Sequence, residues 1–133
     1  MPINSITVEV SPGELIDKIT ILQIKSERIA DMQKLANVRI ELEILQAAHR
    51  QAVPASDRLT EVTAQLKQVN ETLWQIEDDI RICERNADFG PRFVELARSV
   101  YHQNDHRAAL KRQINELLGS KIIEEKAYVK YRR

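Results

Sequence analysis

Apolar residues recur every three or four positions between residues 59 and 83, and polar side chains fill the positions between them. The apolar set is Leu59, Val62, Leu66, Val69, Leu73, Ile76, Ile80 and Cys83. This alternating spacing is typical of a helix that is buried along one side. The pattern therefore predicts a helix over residues 57–86, and the remainder of the chain must cover its apolar side.

Two further helices are predicted, one before and one after this segment. Residues 11–14, with the sequence SPGE, form a strong helix start, because Ser11 can cap the first turn and Pro12 suits the first helical position. An apolar stripe then continues without Gly or Pro until Pro54, which predicts one long helix over residues 12–51. Gly90 and Pro91 separate the second helix from a third, predicted over residues 91–118.

The two ends of the chain carry weaker patterns. Residues 6–10 alternate apolar and polar like a strand, but no second strand is evident, so an extended N-terminal arm is predicted. Residues 121–133 fit a helix or a strand, and a short helix is favoured. The predicted fold is a single all-α domain over residues 1–133, an antiparallel bundle of three long helices with an extended N-terminal arm and a short C-terminal helix or tail.

Charge and cysteine content narrow the expected partners and location. Lys plus Arg and Asp plus Glu both number 20, so no net charge attracts nucleic acid or an anionic membrane, and neither is expected as a partner. The single cysteine, Cys83, falls on the apolar side of the second helix and is expected to be a small buried residue. Because the start resembles no leader and no run of about 18 apolar residues occurs, a cytoplasmic protein is expected.

A group of polar residues is predicted to converge between the second and third helices. Folding the chain as successive antiparallel hairpins places Asn70 and Trp74 opposite Asn104 and Arg107. The candidate ligand-binding residues are Asn70, Trp74, Glu77, Asp78, Arg98, Tyr101, Asn104, Asp105, Arg107 and Lys111.

Two interpretations of this group are open. As a binding site, Trp74 would stack against a small ligand while Arg98 and Arg107 clamp its anionic group. As a structural feature, the same charges would pair with one another, and an inward Arg107 would pair with Glu77 or Asp78.

No catalytic residue, metal or cofactor is predicted, and whether the protein is an enzyme is left open. The acids at 77–79 are consecutive and point about 100° apart on a helix, so they cannot act as paired carboxylates. His102 and His106 lie four residues apart on one helix face, but two histidines without a third ligand are expected to form a solvated surface. The three glycines are scattered, so no phosphate-binding loop is expected.

Three stretches resemble a family of small bacterial helical proteins catalogued as a domain of unknown function. They are VSPGELIDKITIL at 10–22, LWQIEDDIR at 73–81, and the run 96–126 that includes LARSVY, NDHR and EEK. The resemblance covers most of the chain. It implies a helical bacterial protein and supplies no activity or catalytic residues.

The leading functional prediction is a non-catalytic helical interaction or scaffold module. Long helices packed side by side expose much surface relative to their volume, which favours a homo-oligomer, and another protein is a further possible partner. The alternative is a protein or enzyme that binds an anionic small molecule, such as a nucleotide or a phosphorylated sugar, in the polar group between the second and third helices.

Overall fold

The computed structural model describes residues 3–132, which contain four α-helices and no β-strand. The helices are α1 (Pro12–Arg28), α2 (Met32–Ala52), α3 (Asp57–Arg85) and α4 (Pro91–Leu117). The all-α prediction is confirmed. The spans predicted for α3 and α4 are also confirmed to within one residue at their ends.

Side-chain caps fix where three of the helices begin. The Ser11 hydroxyl accepts a hydrogen bond from the backbone N–H of Glu14 at 3.1 Å, and Ser56 accepts one from Leu59 at 3.1 Å. Each cap satisfies an N–H group that has no partner within its own helix. The starts of α1 and α3 therefore follow directly from sequence signals.

The prediction of one continuous helix over 12–51 is wrong, so four helices replace the predicted three. The chain leaves the helix at Ile29, which is extended (φ −78°, ψ 127°), and re-enters it after Asp31. The Asp31 carboxylate caps α2 by accepting from the N–H of Lys34 at 2.9 Å. Met32, assigned to the buried stripe by the sequence pattern, is 79% exposed.

Helices α1, α3 and α4 enclose the main apolar core. Contacts between Arg58 and Gln113 at one end and between Asp79 and Arg92 at the other show that α3 and α4 run antiparallel. The core joins α1 to both of them, and its buried members are Ile16, Leu59, Val62, Leu66, Val69, Leu73, Leu110 and Ile114. A smaller cluster of Ile76, Cys83 and Leu96 continues between α3 and α4. The predicted apolar side of α3 is thus buried as expected, with Ile80 partly exposed.

Helix α2 is peripheral. Among the four helices it contacts α1 and neither α3 nor α4. Val38 is its buried residue, and Ile40 and Ile44 are both 61% exposed.

The chain ends have no regular secondary structure. Residues 6–10, predicted as an extended arm, form neither helix nor strand and are exposed, as are residues 3–5 before them. The short helix predicted within 121–133 is wrong for the described residues 121–132. Gly119 ends α4 with a left-handed backbone (φ 65°), and the chain then extends along the bundle surface, where its side chains bond to other elements.

Candidate functional site

A buried polar network joins α1 to α3. The Asn70 amide nitrogen donates hydrogen bonds to Asp17 Oδ1 at 2.8 Å and to Thr20 Oγ1 at 2.9 Å. The Thr20 hydroxyl donates its hydrogen bond to the backbone carbonyl of Asp17, so its oxygen acts only as an acceptor toward Asn70. Because both partners on this side are acceptors, the amide must present its nitrogen to them, and its carbonyl oxygen faces α4.

Arg107 occupies the other side of Asn70. Its guanidinium donates to Asn70 Oδ1 at 3.4 Å and to Asn104 Oδ1 at 2.8 Å. Both acceptors are neutral amide oxygens. In the described part of the chain no ion pair involves Arg107, and Glu77 pairs instead with Arg81. The partly buried Arg107 therefore keeps its positive charge uncompensated by a bonded carboxylate.

The first groove beside Arg107 lies between α1, α3 and α4 and has a volume of about 560 Å³. We call it the Trp74 groove. Its lining residues are Ile21, Ile24, Asn70, Leu73, Trp74, Glu77, Asp78, Arg81, Asn104 and Arg107. It therefore combines an apolar wall, an indole, an acidic rim and the guanidinium of Arg107.

The second groove adjoins the first at Arg107 and has a volume of about 440 Å³. We call it the Lys126 groove. Its lining residues are Tyr101, Asn104, Asp105, Arg107, Ala108, Lys111, Lys126 and Tyr128. Asn104 and Arg107 line both grooves, so they form the boundary between them.

The other cations of the Lys126 groove are paired with carboxylates. Lys126 bonds to Asp105 at 2.9 Å, and Lys111 bonds to Glu14 at 2.6 Å and lies 3.9 Å from Asp17. The hydrogen bond from Lys126, followed by one from Tyr131, lowers the pKa of Asp105 below its usual 3.8. Asp105 is thus ionised at neutral pH, and Lys126 forms an ion pair with it.

The C-terminal segment that supplies Lys126 and Tyr128 is attached through Glu124. This carboxylate accepts hydrogen bonds from the Ser11 hydroxyl and, at 3.0 Å, from the Asn115 amide. Asn115 in turn accepts from the N–H of Gly13 at 2.7 Å. Burial acts to raise the pKa of Glu124, but the bonds from Ser11, its own backbone N–H and Asn115, together with the charge of Lys111, bring it below 4.5.

The structure brings nine of the ten predicted site residues to these two adjoining grooves. Asn70, Trp74, Glu77 and Asp78 line the Trp74 groove. Tyr101, Asp105 and Lys111 line the Lys126 groove, and Asn104 and Arg107 belong to both. Arg98 lies apart from them, in a surface depression with Glu95, Ser99 and His102. That any of these residues binds a ligand stays a prediction.

Sequence reasoning missed the residues that α1 and the C-terminal segment contribute. Ile21 and Ile24 line the Trp74 groove because α1 packs against both α3 and α4. Lys126 and Tyr128 reach the second groove because the segment after α4 runs back along that helix, with Glu124 bonded to Asn115 and Lys126 to Asp105. The capping residue Asp31 was a sequence signal that α1 ends and a new helix begins. Nothing in the sequence pattern of residues 121–132 indicated the path of the C-terminal segment.

Metal-site and membrane features can be stated for residues 3–132. Within this range no group of three or more His, Cys, Asp or Glu side chains is arranged to hold a metal ion. His102 stacks on Tyr101 with ring centres 4.9 Å apart, and its Nδ1 lies 3.3 Å from the Tyr131 hydroxyl. None of the helices in the described chain has the length and apolar content needed to cross a membrane.

Comparison with known proteins gives one match. Neither a curated protein nor a solved structure matches the chain. Residues 6–131 match a family described as a family of unknown function, DUF6165. This range includes all four helices, both grooves and most of the C-terminal segment. The chain therefore belongs to the DUF6165 family.

Proposed function

We propose that the protein binds a small anionic ligand at Arg107, where the Trp74 groove and the Lys126 groove meet. The observation that carries this proposal is the bonding of the guanidinium, which within residues 3–132 contacts two amide oxygens and no carboxylate. A partly buried cation that is not paired with a carboxylate attracts an anion from solution.

The surroundings of Arg107 support a preorganised site. A guanidinium has five N–H donors, and the bonds to Asn70 and Asn104 occupy two of them. The remaining donors suit the two oxygens of a carboxylate or phosphate. Asn70 cannot turn away, because Asp17 and Thr20 hold its amide nitrogen. Arg107 is thus already partly ordered in the free protein, so ligand binding loses less side-chain entropy.

The Trp74 groove supports a ligand that carries more than an anionic group. Leu73 and Ile24 provide an apolar wall, and the indole of Trp74 offers a surface on which a ring can stack. Glu77 and Asp78 at the rim can accept hydrogen bonds from hydroxyl or amino groups. A nucleotide or a phosphorylated sugar combines these features, with its phosphate at Arg107.

The test is a thermal-shift titration with adenosine 5′-monophosphate, ribose 5-phosphate and inorganic phosphate. A ligand that binds only the folded chain raises the unfolding midpoint as its concentration increases. Arg107→Met is expected to abolish this rise. It should change the free energy of unfolding by no more than about 1 kcal/mol, because water in the open groove can donate hydrogen bonds to the amide oxygens of Asn70 and Asn104 in place of Arg107.

Arg98→Met is the matched control. Arg98 lies on the same helix but outside both grooves, so its loss should leave the thermal shift unchanged. The proposal fails if none of the three compounds shifts the wild-type midpoint, or if Arg107→Met responds like the wild type. A large loss of stability in Arg107→Met alone would show that the residue is structural.

A second candidate function is an interaction or scaffold role through contacts between chains, including a homodimer that pairs long helices as a coiled coil. Its support is α2, which contacts only α1 among the helices and exposes Ile40 and Ile44. We also place the protein in the bacterial cytoplasm. Support for this location comes from the family resemblance and from the lone thiol of Cys83, which is free and buried.

A further inference from the structure

Helix α2 has two different faces. Its inner face, toward α1, contains the helix's buried or partly buried residues, which are Leu35, Val38, Leu42, Leu45, Gln46 and His49. The opposite side carries a stripe of uncharged and exposed residues, which we call the outer stripe. Its members are Gln33, Ala36, Ile40, Ile44, Ala47 and Gln51. Steps of three and four residues keep all six on one side of the helix.

The outer stripe reads nearly the same in both directions. The order is Gln, Ala, Ile, Ile, Ala, Gln, and the pairs 33/51 and 40/44 are both centred on residue 42. A two-fold interface requires a surface that is complementary to itself after reversal. Two antiparallel helices related by an axis at residue 42 meet this requirement, because each residue type then faces its own type.

We propose that the outer stripe is a homodimer interface, in which α2 packs antiparallel against α2 of a second copy. This inference rests on the self-association proposed above and names its surface and geometry. Ile40 of each chain packs beside Ile44 of the other at the centre. The small Ala36 and Ala47 let the backbones approach, and the glutamine pairs close the two ends. The two exposed isoleucines of each chain are thereby removed from water.

Charges beside the stripe support the same orientation. Arg39 and Glu43 are exposed and lie on one flank of the outer stripe. Reversal about residue 42 places Arg39 of one chain and Glu43 of the other about 3 Å apart along the helix axis, from a rise of about 1.5 Å per residue. The two Glu43 side chains lie equally close to each other at the centre, and an Arg39 stands on the outer side of each. Two reciprocal ion pairs then form, one on each side of the axis, and they offset the contact between the two carboxylates. This complementarity selects a second copy of the chain as the occupant.

The first test is the molar mass in solution. The wild type is expected to give twice the chain mass of 15.4 kDa at micromolar concentration, and Ile40→Glu is expected to give 15.4 kDa. Ile82→Glu is the control, because Ile82 is an exposed isoleucine on α3, 44% exposed and away from α2. A monomeric wild type overturns the proposal. A different protein is then the candidate partner for the outer stripe.

Charge reversal tests the surface with a milder change. Arg39→Glu brings like charges together at both ion-pair positions and is expected to raise the dimer dissociation constant at least about tenfold. The double variant with Glu43→Arg exchanges the signs and should restore the wild-type value. A dimer that is insensitive to both Ile40→Glu and Arg39→Glu overturns the assigned surface, although self-association itself then stands.

Cysteine cross-linking tests the orientation in a Cys83→Ala background. Chains carrying Ile40→Cys are mixed with chains carrying Ile44→Cys. The mixed 40–44 disulfide should form faster than the 40–40 or 44–44 disulfide. Faster 40–40 cross-linking indicates parallel helices and overturns the antiparallel geometry. Because α2 contacts neither α3 nor α4, these variants should leave any phosphate-dependent thermal shift at Arg107 unchanged.

Discussion

Replacing Gly13 with alanine tests how closely α1 packs on α4. Gly13 is buried in the first turn of α1. A β-carbon at this position would lie 2.5 Å from the backbone oxygen of Lys111 and 2.8 Å from Oδ1 of Asn115. The Lys111 oxygen belongs to the helix backbone and cannot rotate away. The two helices must therefore move apart by about 0.9 Å to reach the 3.4 Å of an ordinary contact.

This separation sets the size of the expected effect. Overpacking of this kind costs about 1–3 kcal/mol. It also lengthens the Gly13–Asn115 and Lys111–Glu14 hydrogen bonds, now 2.7 and 2.6 Å, each worth about 1 kcal/mol. The better helix propensity of alanine returns up to about 1 kcal/mol. We expect Gly13→Ala to lower the free energy of unfolding by about 1–3 kcal/mol.

Urea denaturation followed by circular dichroism measures this change, and the midpoint of thermal unfolding should fall by roughly 3–10 °C. Gly90→Ala is the control. Gly90 has an extended backbone, and a β-carbon there meets only Asp88 Oδ1 at 3.4 Å. The free energy of unfolding of Gly90→Ala should stay within about 0.5 kcal/mol of the wild-type value. If Gly13→Ala is as stable as Gly90→Ala, the close approach of α1 to α4 is wrong.

Two further substitutions test the core and the C-terminal segment. Leu66 has no exposed surface, so Leu66→Ala should lower the free energy of unfolding, measured in urea, by about 2–5 kcal/mol. Cys83→Ala should lower it by less. An unchanged free energy in Leu66→Ala would contradict the burial of Leu66 in the core. Glu124 has a pKa lowered below 4.5, so its stabilisation is present above pH 4.5 and disappears as the pH falls through the folded-state value. Glu124→Gln should therefore flatten the acid side of a plot of unfolding free energy against pH, and unchanged slopes would refute this role.

Helices α3 and α4 were predictable because local and long-range signals agree in them. The apolar side of α3 continues from Leu59 to Cys83, and Ser56 provides its cap. Pro91 marks the start of α4. The short connection between the two helices fixes their antiparallel register. That register alone brought Asn70 opposite Arg107.

The division of the first helix was less predictable because its apolar stripe continues across the break. Ile29 and Met32 keep the helical spacing, yet the chain is extended at Ile29. The contrary signals were the polar residues Lys25 and Ser26, which interrupt the stripe, and the capping residue Asp31. The contacts of α1 with α3 and α4 decide between these signals. These are tertiary contacts, which the local sequence pattern does not contain.

Arg98 shows the limit of a register argument. It lies nine residues before Arg107, which at 100° per residue places it about 180° away around α4. It could not enter the same groove, although both arginines were assigned to one anion clamp. Lys111, one turn after Arg107, lies on the same side and lines the Lys126 groove. The position of each residue along the helix was predictable from the register. The side of the helix on which a residue lies also requires its angle around the helix axis.

The buried network around Asn70 is the structural basis of the proposed binding site. Asp17, Thr20 and Asn70 are buried polar residues beside an apolar core that α1, α3 and α4 already fill. Satisfied buried polar groups add little net stability, and apolar residues of similar volume serve a core equally well. What apolar residues cannot do is orient a guanidinium. The network fixes the Asn70 amide, the amide holds Arg107, and Arg107 bonds to no carboxylate in the described chain. The specific effect of these polar residues is thus to hold a positive charge ready at the boundary of two grooves.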